Sequence, residues 1–468
     1  MGTLNLSWIF LINSKKRRRK IRKINKSIKG NIMNKGNKIL LLAIGTVIAV
    51  SCQNTKPNKS TNPAPQKVST VVENVSLPQP FATPSVRNSS KTIGWPDGKT
   101  PVVPTGFVIT KFADGLDHPR WMYVGPNGDV FVAEANTVSD GFAKTGMESN
   151  SRKTSKNSVL LLRDADQDGV PEIKQIFLSG LNRPLGMLIL GNKFYVANTD
   201  ALWVFPYEQG QTQMMAQGKK ILDLPAGGYN NHWTRNLIAN REGTKIYVTV
   251  GSGSNVAEHG IDNEKRRANI LEINIDGSGE RIYAAGLRNP VGLAWQPGTN
   301  ILWTAVNERD ELGDELVPDY ATGIKENGFY GWPYAYFGNH EDPRRKGERP
   351  DLVAKTLVPD VPLGAHTASL GIAFDDKNYF GTQYAGGLFI AQHGSWNRSA
   401  LSGYKVVYVP FKNGKPNGPM QDFLTGFIAD NENSKVYGRP VGVVFAQDGS
   451  LLVTDDTANT IWRVATKK

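Results

Sequence analysis

The sequence has very little cysteine: one in 468 residues, Cys52, so no intramolecular disulfide can form. It also lacks an apolar stretch long enough to cross a bilayer, since the run at residues 39–50 has 12 residues where a helix needs about 20. Amphipathic helical stretches are missing from residue 101 onward. Apart from its first residues, the chain has almost no net charge. Residues 1–52 hold 12 Lys or Arg and no acid, so of the formal +13 only +1 (13 − 12) belongs to the remainder. A near-neutral body offers no electrostatic footprint for nucleic acid. Stability must come from sheet packing.

One short phrase recurs instead. Gly115-Leu-Asp-His-Pro119 returns as Gly180-Leu-Asn-Arg-Pro184, Gly286-Leu-Arg-Asn-Pro290 and, degraded, Val436-Tyr-Gly-Arg-Pro440. Each copy precedes an apolar run, a turn and a second run such as Val130-Phe-Val-Ala or Ile301-Leu-Trp-Thr-Ala. Two further segments, beginning at His232 and His366, fit without the proline. β-Branched and aromatic runs broken by Gly, Pro, Asn and Asp turns read as strands, and six such units read as an all-β, six-bladed β-propeller. The last unit supplies only three obvious strands, so the strand-like segment after Pro101 is expected to complete it and close the ring.

Strands reverse direction within a blade, so residues before strand one and after strand two share a rim. The first set is Asp117/His118, Asn182/Arg183, His232/Trp233, Arg288/Asn289, Thr367/Ala368 and Gly438/Arg439. The second is Glu134, Asn198, Ser252, Asn307/Glu308, Gln392/His393 and Asp455/Asp456. A turn alone needs no different His, Arg or Asn in each unit, so a ligand is expected at this mouth.

Outside the propeller, the charged start and the 12-residue apolar run end in Ala49-Val-Ser-Cys52, which resembles a bacterial lipoprotein cleavage box. Residues 1–52 are expected to be an export leader lipidated at Cys52, with Met33 an alternative start. Gln53 rather than Asp follows, so in a double-membrane bacterium the expected place is the outer membrane, facing the periplasm. Residues 53–100, rich in Asn, Ser, Thr, Pro and Lys, are expected to form a disordered tether, and residues 101–468 the propeller.

At Gly286-Leu-Arg-Asn-Pro-Val-Gly-Leu-Ala-Trp295, Asn307-Glu-Arg-Asp-Glu-Leu-Gly-Asp314, Gly328-Phe-Tyr-Gly-Trp-Pro333 and Gln392-His-Gly-Ser-Trp-Asn-Arg398, the chain resembles the glucose/sorbosone dehydrogenase family, nearest its L-sorbosone dehydrogenase-like branch. These quinoprotein propellers bind pyrroloquinoline quinone (PQQ) and calcium. The resemblance implies oxidation of an aldose or similar sugar by hydride transfer to the quinone, with an electron acceptor, a quinone or a cytochrome, left open. It makes His232 the base, with Arg288 and Asn289 on the quinone oxygens. Soluble relatives carry an acid before this His where Asn231 stands here, which leaves open the group that orients the imidazole.

PQQ is a tricarboxylate, so Arg439, Arg398, His393 and His366 are further cofactor-binding candidates, together with Asn307. The family's calcium is held partly by main-chain carbonyls in the loop after strand two of the fourth unit. Glu308, Arg309, Asp310, Asp314 and Glu315 are the candidates there. Asp164, Asp166 and Asp168, followed by Gly169, match either a structural calcium turn or a plain Asp-Gly hairpin turn. A competing function is a calcium-dependent hydrolase of the lactonase kind, drawing Glu134, Asn198 and Asp455 around one axial metal. Another is a surface-binding propeller without catalysis.

Overall fold

The computed structural model describes residues 76–135 and 155–467. Met33, Cys52 and the first part of the expected tether lie outside them. The described chain forms six four-stranded antiparallel sheets. The first orders Pro119–Val124, Val130–Glu134, Ser158–Arg163 and Ile173–Leu178 from inside outward. Innermost strands of the next four are Met187–Leu190, Leu237–Ala239, Pro290–Trp295 and Ser369–Phe374. In the sixth the order is Pro440–Phe445, Leu451–Asp455, Thr460–Thr466 and then Phe107–Ala113. Each innermost strand touches the next, and that of the sixth touches that of the first. The sheets therefore stand as blades of a β-propeller, at the repeats the sequence marks.

The hydrophobic pattern explains this stacking. Second strands such as Val130–Glu134, Leu302–Val306 and Leu451–Asp455 are buried at every position, because both faces lie against a neighbouring blade. The outermost strand Ile173–Leu178 keeps only Phe177 buried, as suits a perimeter facing water. Between blades the filling is aromatic. Phe131, Phe177 and Phe194 meet with centroids 4.9–5.1 Å apart, and Phe107, Phe380, Phe389 and Phe423 form a second such set. Tilted and edge-to-face pairs of this kind add to the area they bury.

The expected tether is where the chain departs most from its sequence reading. Residues 76–100 lie against the propeller. Lys91–Thr92 pairs in parallel with Lys435–Val436. Trp95 sits 5.1–5.3 Å from the rings of Phe427, Tyr437 and Trp462 and donates through Nε1 to Asp455 Oδ2 at 2.9 Å. Low apolar content suggested a free segment, but one tryptophan with an aromatic cage and a buried acceptor suffices to dock it. No helix among the described residues is long and apolar enough to cross a membrane.

Candidate functional site

At the rim where first strands begin and second strands end, a cavity of about 1190 Å³ opens. Of the residues singled out from sequence, His232, Arg288, Asn289, Asn307, Glu308, Asp310, His366, His393 and Arg439 line it.

His232 precedes the inner strand of the third blade. Its Nδ1 lies 2.9 Å from both the carbonyl and the hydroxyl oxygen of Ser252, whose hydroxyl donates to the Ser254 carbonyl at 2.6 Å. Nδ1 is thereby the protonated nitrogen, and the lone pair resides on Nε2. Ser252, at the matching position after strand two, is what orients the imidazole, in place of an acid. Burial, and next the charge of Arg288, hold the His232 pKa well below its ordinary value. The backbone is fixed from behind by Arg235, fully buried, which donates to the carbonyls of His232, Thr234 and Pro225. Gly251 allows the close approach, because a Cβ there would lie 2.4 Å from Asn289 Oδ1 and 2.5 Å from His232 Cβ.

Arg288 is committed on several sides. It donates to the carbonyls of Asn255 (3.1 Å), Asn307 (3.3 Å) and Glu308 (2.6 Å), and pairs with Asp310 at 3.0 Å. Asp310 in turn faces His366 Nδ1 at 3.4 Å, while His366 Nε2 lies 2.8 Å from the Gly313 carbonyl. Burial opposes a charged His366, but the hydrogen bond and charge of Asp310 with the Gly313 carbonyl win, and its pKa is raised. Asp319 ties this side together, accepting from the Glu308 and Ser369 amides and the Thr367 hydroxyl; burial still pushes it up to about 6.

The other side carries a second charge chain. Arg120 bonds Asp456 at 2.5 Å, and Asp456 accepts from His393 Nε2 at 2.9 Å. Burial, then the charge of Arg439, pull His393 down to about 4. His393 is therefore neutral at pH 7 and is not the cofactor-facing cation expected of it. Arg439 donates to the carbonyls of His393 and Gly394 at 2.9 and 2.8 Å.

Four expected ligands, Arg309, Asp314, Glu315 and Arg398, do not line the cavity. Arg398 pairs with Glu315, and the Asp314 carboxylate bonds Ser399. Arg309, expected to offer its main-chain carbonyl, buries its side chain against Glu308 (2.8 Å), Asp342 (3.3 Å) and the Ala335 carbonyl. Glu134 and Asp455, drafted for an axial metal, instead brace loops, accepting from the Asp117 and Arg439 amides; neither they nor Asn198 line the cavity. The carboxylates of Asp164, Asp166, Asp168 and Glu172 do converge, with ligand oxygens within 4.8 Å of one another, on a turn between the two outer strands of the first blade.

Sequence reasoning missed Arg120, Asn255, Arg344 and Arg345. Arg120 had a usable signal: a charged residue inside Pro119–Val124, a strand apolar on both faces. Asn255 accepts from Arg288 Nη2 and the Asp310 amide through one oxygen, a convergence that no local pattern announces.

The fold and site define a β-propeller with an arginine-rich axial cavity. A family model described as TrAA12-like matches residues 101–327 and 349–467, and the chain belongs to that family. Among curated proteins it is 29% identical over 378 residues to an uncharacterized protein of Borreliella burgdorferi, covering 78% of this chain and 91% of that one. It is 24% identical over 423 residues to the pyrroloquinoline quinone-dependent pyranose dehydrogenase of Coprinopsis cinerea, covering 77% of this chain but only 54% of that longer protein. The holo form of that enzyme's PQQ domain superposes with a TM-score of 0.64 at 20% identity, covering 81% of this chain and all of that one.

Crowding at Gly251 yields a stability test. Gly251→Ala is expected to cost about 1–3 kcal/mol, read as a lowered thermal midpoint. Gly227→Ala, where an added carbon meets nothing within 4 Å, should leave the midpoint in place. Equal midpoints for the two variants would contradict the crowding.

Proposed function

We propose that this protein oxidises an aldose or a related, sorbosone-like sugar with PQQ and calcium. The observation that carries the reading is a neutral imidazole, its Nε2 lone pair available, bordering a cavity shared with Arg120, Arg288 and Arg439. Those three guanidinium groups suit the carboxylates and quinone oxygens of PQQ. Asn289 Oδ1 and Glu308 Oε1 are buried without a hydrogen-bond partner among the described residues, as oxygens reserved for a ligand or a cation would be. When bound, PQQ supplies the acceptor for the hydride that leaves the sugar's C–H bond.

The chain's own residues do the rest. His232 takes the hydroxyl proton on Nε2 as the hydride departs, while Nδ1–H stays on Ser252. Arg288 and Arg439 stand ready for developing negative charge, already oriented by the carbonyls they bond. Calcium would be held from the loop 307–310, with Glu308 and Asp310 as side-chain donors. Arg288 already occupies the Asn307 and Glu308 carbonyls, so it competes with the metal for them. At the perimeter, Asp164, Asp166, Asp168 and Glu172 suit a second, structural calcium.

The pairing of Phe107–Ala113 with Thr460–Thr466 supports a ring closed by an N-terminal strand. The L-sorbosone branch, a quinone or cytochrome as electron acceptor, and a lipid anchor at Cys52 on the periplasmic side of an outer membrane complete the proposal.

Replacing His232 by Ala should leave PQQ binding nearly normal and slow reduction of the bound cofactor by about 10² to 10⁴, measured by stopped-flow absorbance. In the wild type the rate should fall only at pH well under the ordinary imidazole range, because the folded pKa is depressed and the base stays neutral down to it. That acid limb should be absent from the variant. Full-speed reduction in a folded His232→Ala protein would eliminate His232 as the base. The anchor has its own test: a radioactive fatty acid should label the wild type and not Cys52→Ser, and equal labelling of both would remove it.

A further inference from the structure

Among the described residues the family match leaves out two long stretches, 76–100 and 328–348, and both reach the cavity. The first contributes Ser85, Arg87, Ser89 and Ser90 to its lining, and the second Arg344 and Arg345. The two differ in how they are committed. Arg344 bonds Asp342 and the Asp310 carbonyl, and Arg345 bonds the Val256 and Ala257 carbonyls, so their donors hold loops together. Arg87 has no carboxylate partner among the described residues and lies over the Trp396 ring, 5.9 Å from its centroid.

The strap that carries Arg87 is fixed on both sides of it. The Phe81 amide donates to the Leu312 carbonyl at 2.8 Å, and Thr83 Oγ1 accepts from the Asp314 amide at 2.8 Å. The Val86 carbonyl accepts from Asn397, and Asn88 bonds the carbonyls of Trp396 and Ser399 and the hydroxyl of Ser434. Beyond Asn88, the pairing with Lys435–Val436 and the Trp95 cage follow. A segment tied at so many points is a wall and holds its side chains at set positions.

We infer that residues 85–90 are a wall of the substrate site, in which Arg87, Ser89 and Ser90 beside Trp396 bind the hydroxyl groups of the sugar. This rests on the sugar-oxidising reading above. The cations oriented for a cofactor, Arg120, Arg288 and Arg439, all come from within the family match, whereas Arg87 comes from outside it. A serine hydroxyl both donates and accepts, and a guanidinium offers several donors, which together match a polyhydroxylated ring. The Trp396 ring, over which Arg87 lies, helps to hold that guanidinium at the cavity wall.

The test uses the full-length protein loaded with PQQ and calcium, with the aldose oxidised fastest in a panel of aldopentoses and aldohexoses as probe. Arg87→Ala should raise KM for that aldose about tenfold, and Ser89→Ala/Ser90→Ala should raise it in the same direction. The loss falls on KM, and the Kd of PQQ, from quenching of tryptophan fluorescence, should stay within twofold. Lys99→Ala, on the same strap but bonded to Tyr437, should change neither quantity. Adding the aldose to PQQ-free protein should slow amide exchange in residues 85–92. A weakened PQQ Kd with unchanged KM would assign Arg87 to the cofactor and overturn the inference, as would an unchanged KM together with unchanged exchange. Failure of the wild type to bind PQQ or oxidise any aldose would sink the functional reading itself, a result distinct from either.

Discussion

Buried guanidinium charge is the constraint on which the rest of this structure depends. Arg120, Arg235, Arg288 and Arg309 are each at most 4% exposed, and a charge taken out of water must be met by carboxylates or carbonyls or it destabilises the fold severely. Arg120 is met by Asp456 and Arg288 by Asp310, and each of those acids also holds a histidine, His393 and His366 respectively. Arg309 is met by Glu308 and Asp342, which fastens the 328–348 insertion to the loop 307–310. The Arg120–Asp456–His393 and Arg288–Asp310–His366 links join strand ends from different blades. They are the reason the rim is a fixed arrangement of groups and not a set of independent loops.

The same chains set protonation states. Two histidines that look alike in sequence end up opposite in character. Asp310 and the Gly313 carbonyl favour a charged His366, whereas burial and Arg439 keep His393 neutral. His232 is held low in the same way as His393, by burial beside an arginine, here Arg288, and its tautomer is set by a backbone carbonyl. A base needs that combination of a free lone pair and a fixed ring. Arg439, bonded to carbonyls, keeps its positive charge facing the cavity, where an anionic group is the natural complement.

How much of this was legible in sequence divides along physical lines. The recurring Gly-Leu-x-x-Pro phrase located the blades, and strand alternation placed both rim rings at the correct ends, because a propeller's register is repeated six times. Side-chain direction was not legible. His118 and Arg183 hold the slot that Asn289 fills, yet neither lines the cavity, and Arg120 enters from inside a strand. Nor did local composition show that residues 76–100 dock, since the grip is supplied by Phe427, Tyr437 and Trp462, more than 300 residues away. The ligand candidates fared unevenly for the same reason: the calcium candidate Asp314 and the cofactor candidate Arg398 found partners in segments that the motif could not see.

The central claim is that the cavity takes PQQ as its oxidant toward a sugar. Titrating PQQ and calcium into the purified protein, and then adding aldoses, tests it most directly by absorbance. The account predicts saturation at one PQQ per chain, followed by conversion of the bound quinone's spectrum to that of its reduced form when a sugar is supplied. Absence of saturable binding, or a bound quinone whose spectrum no aldose changes, would contradict it.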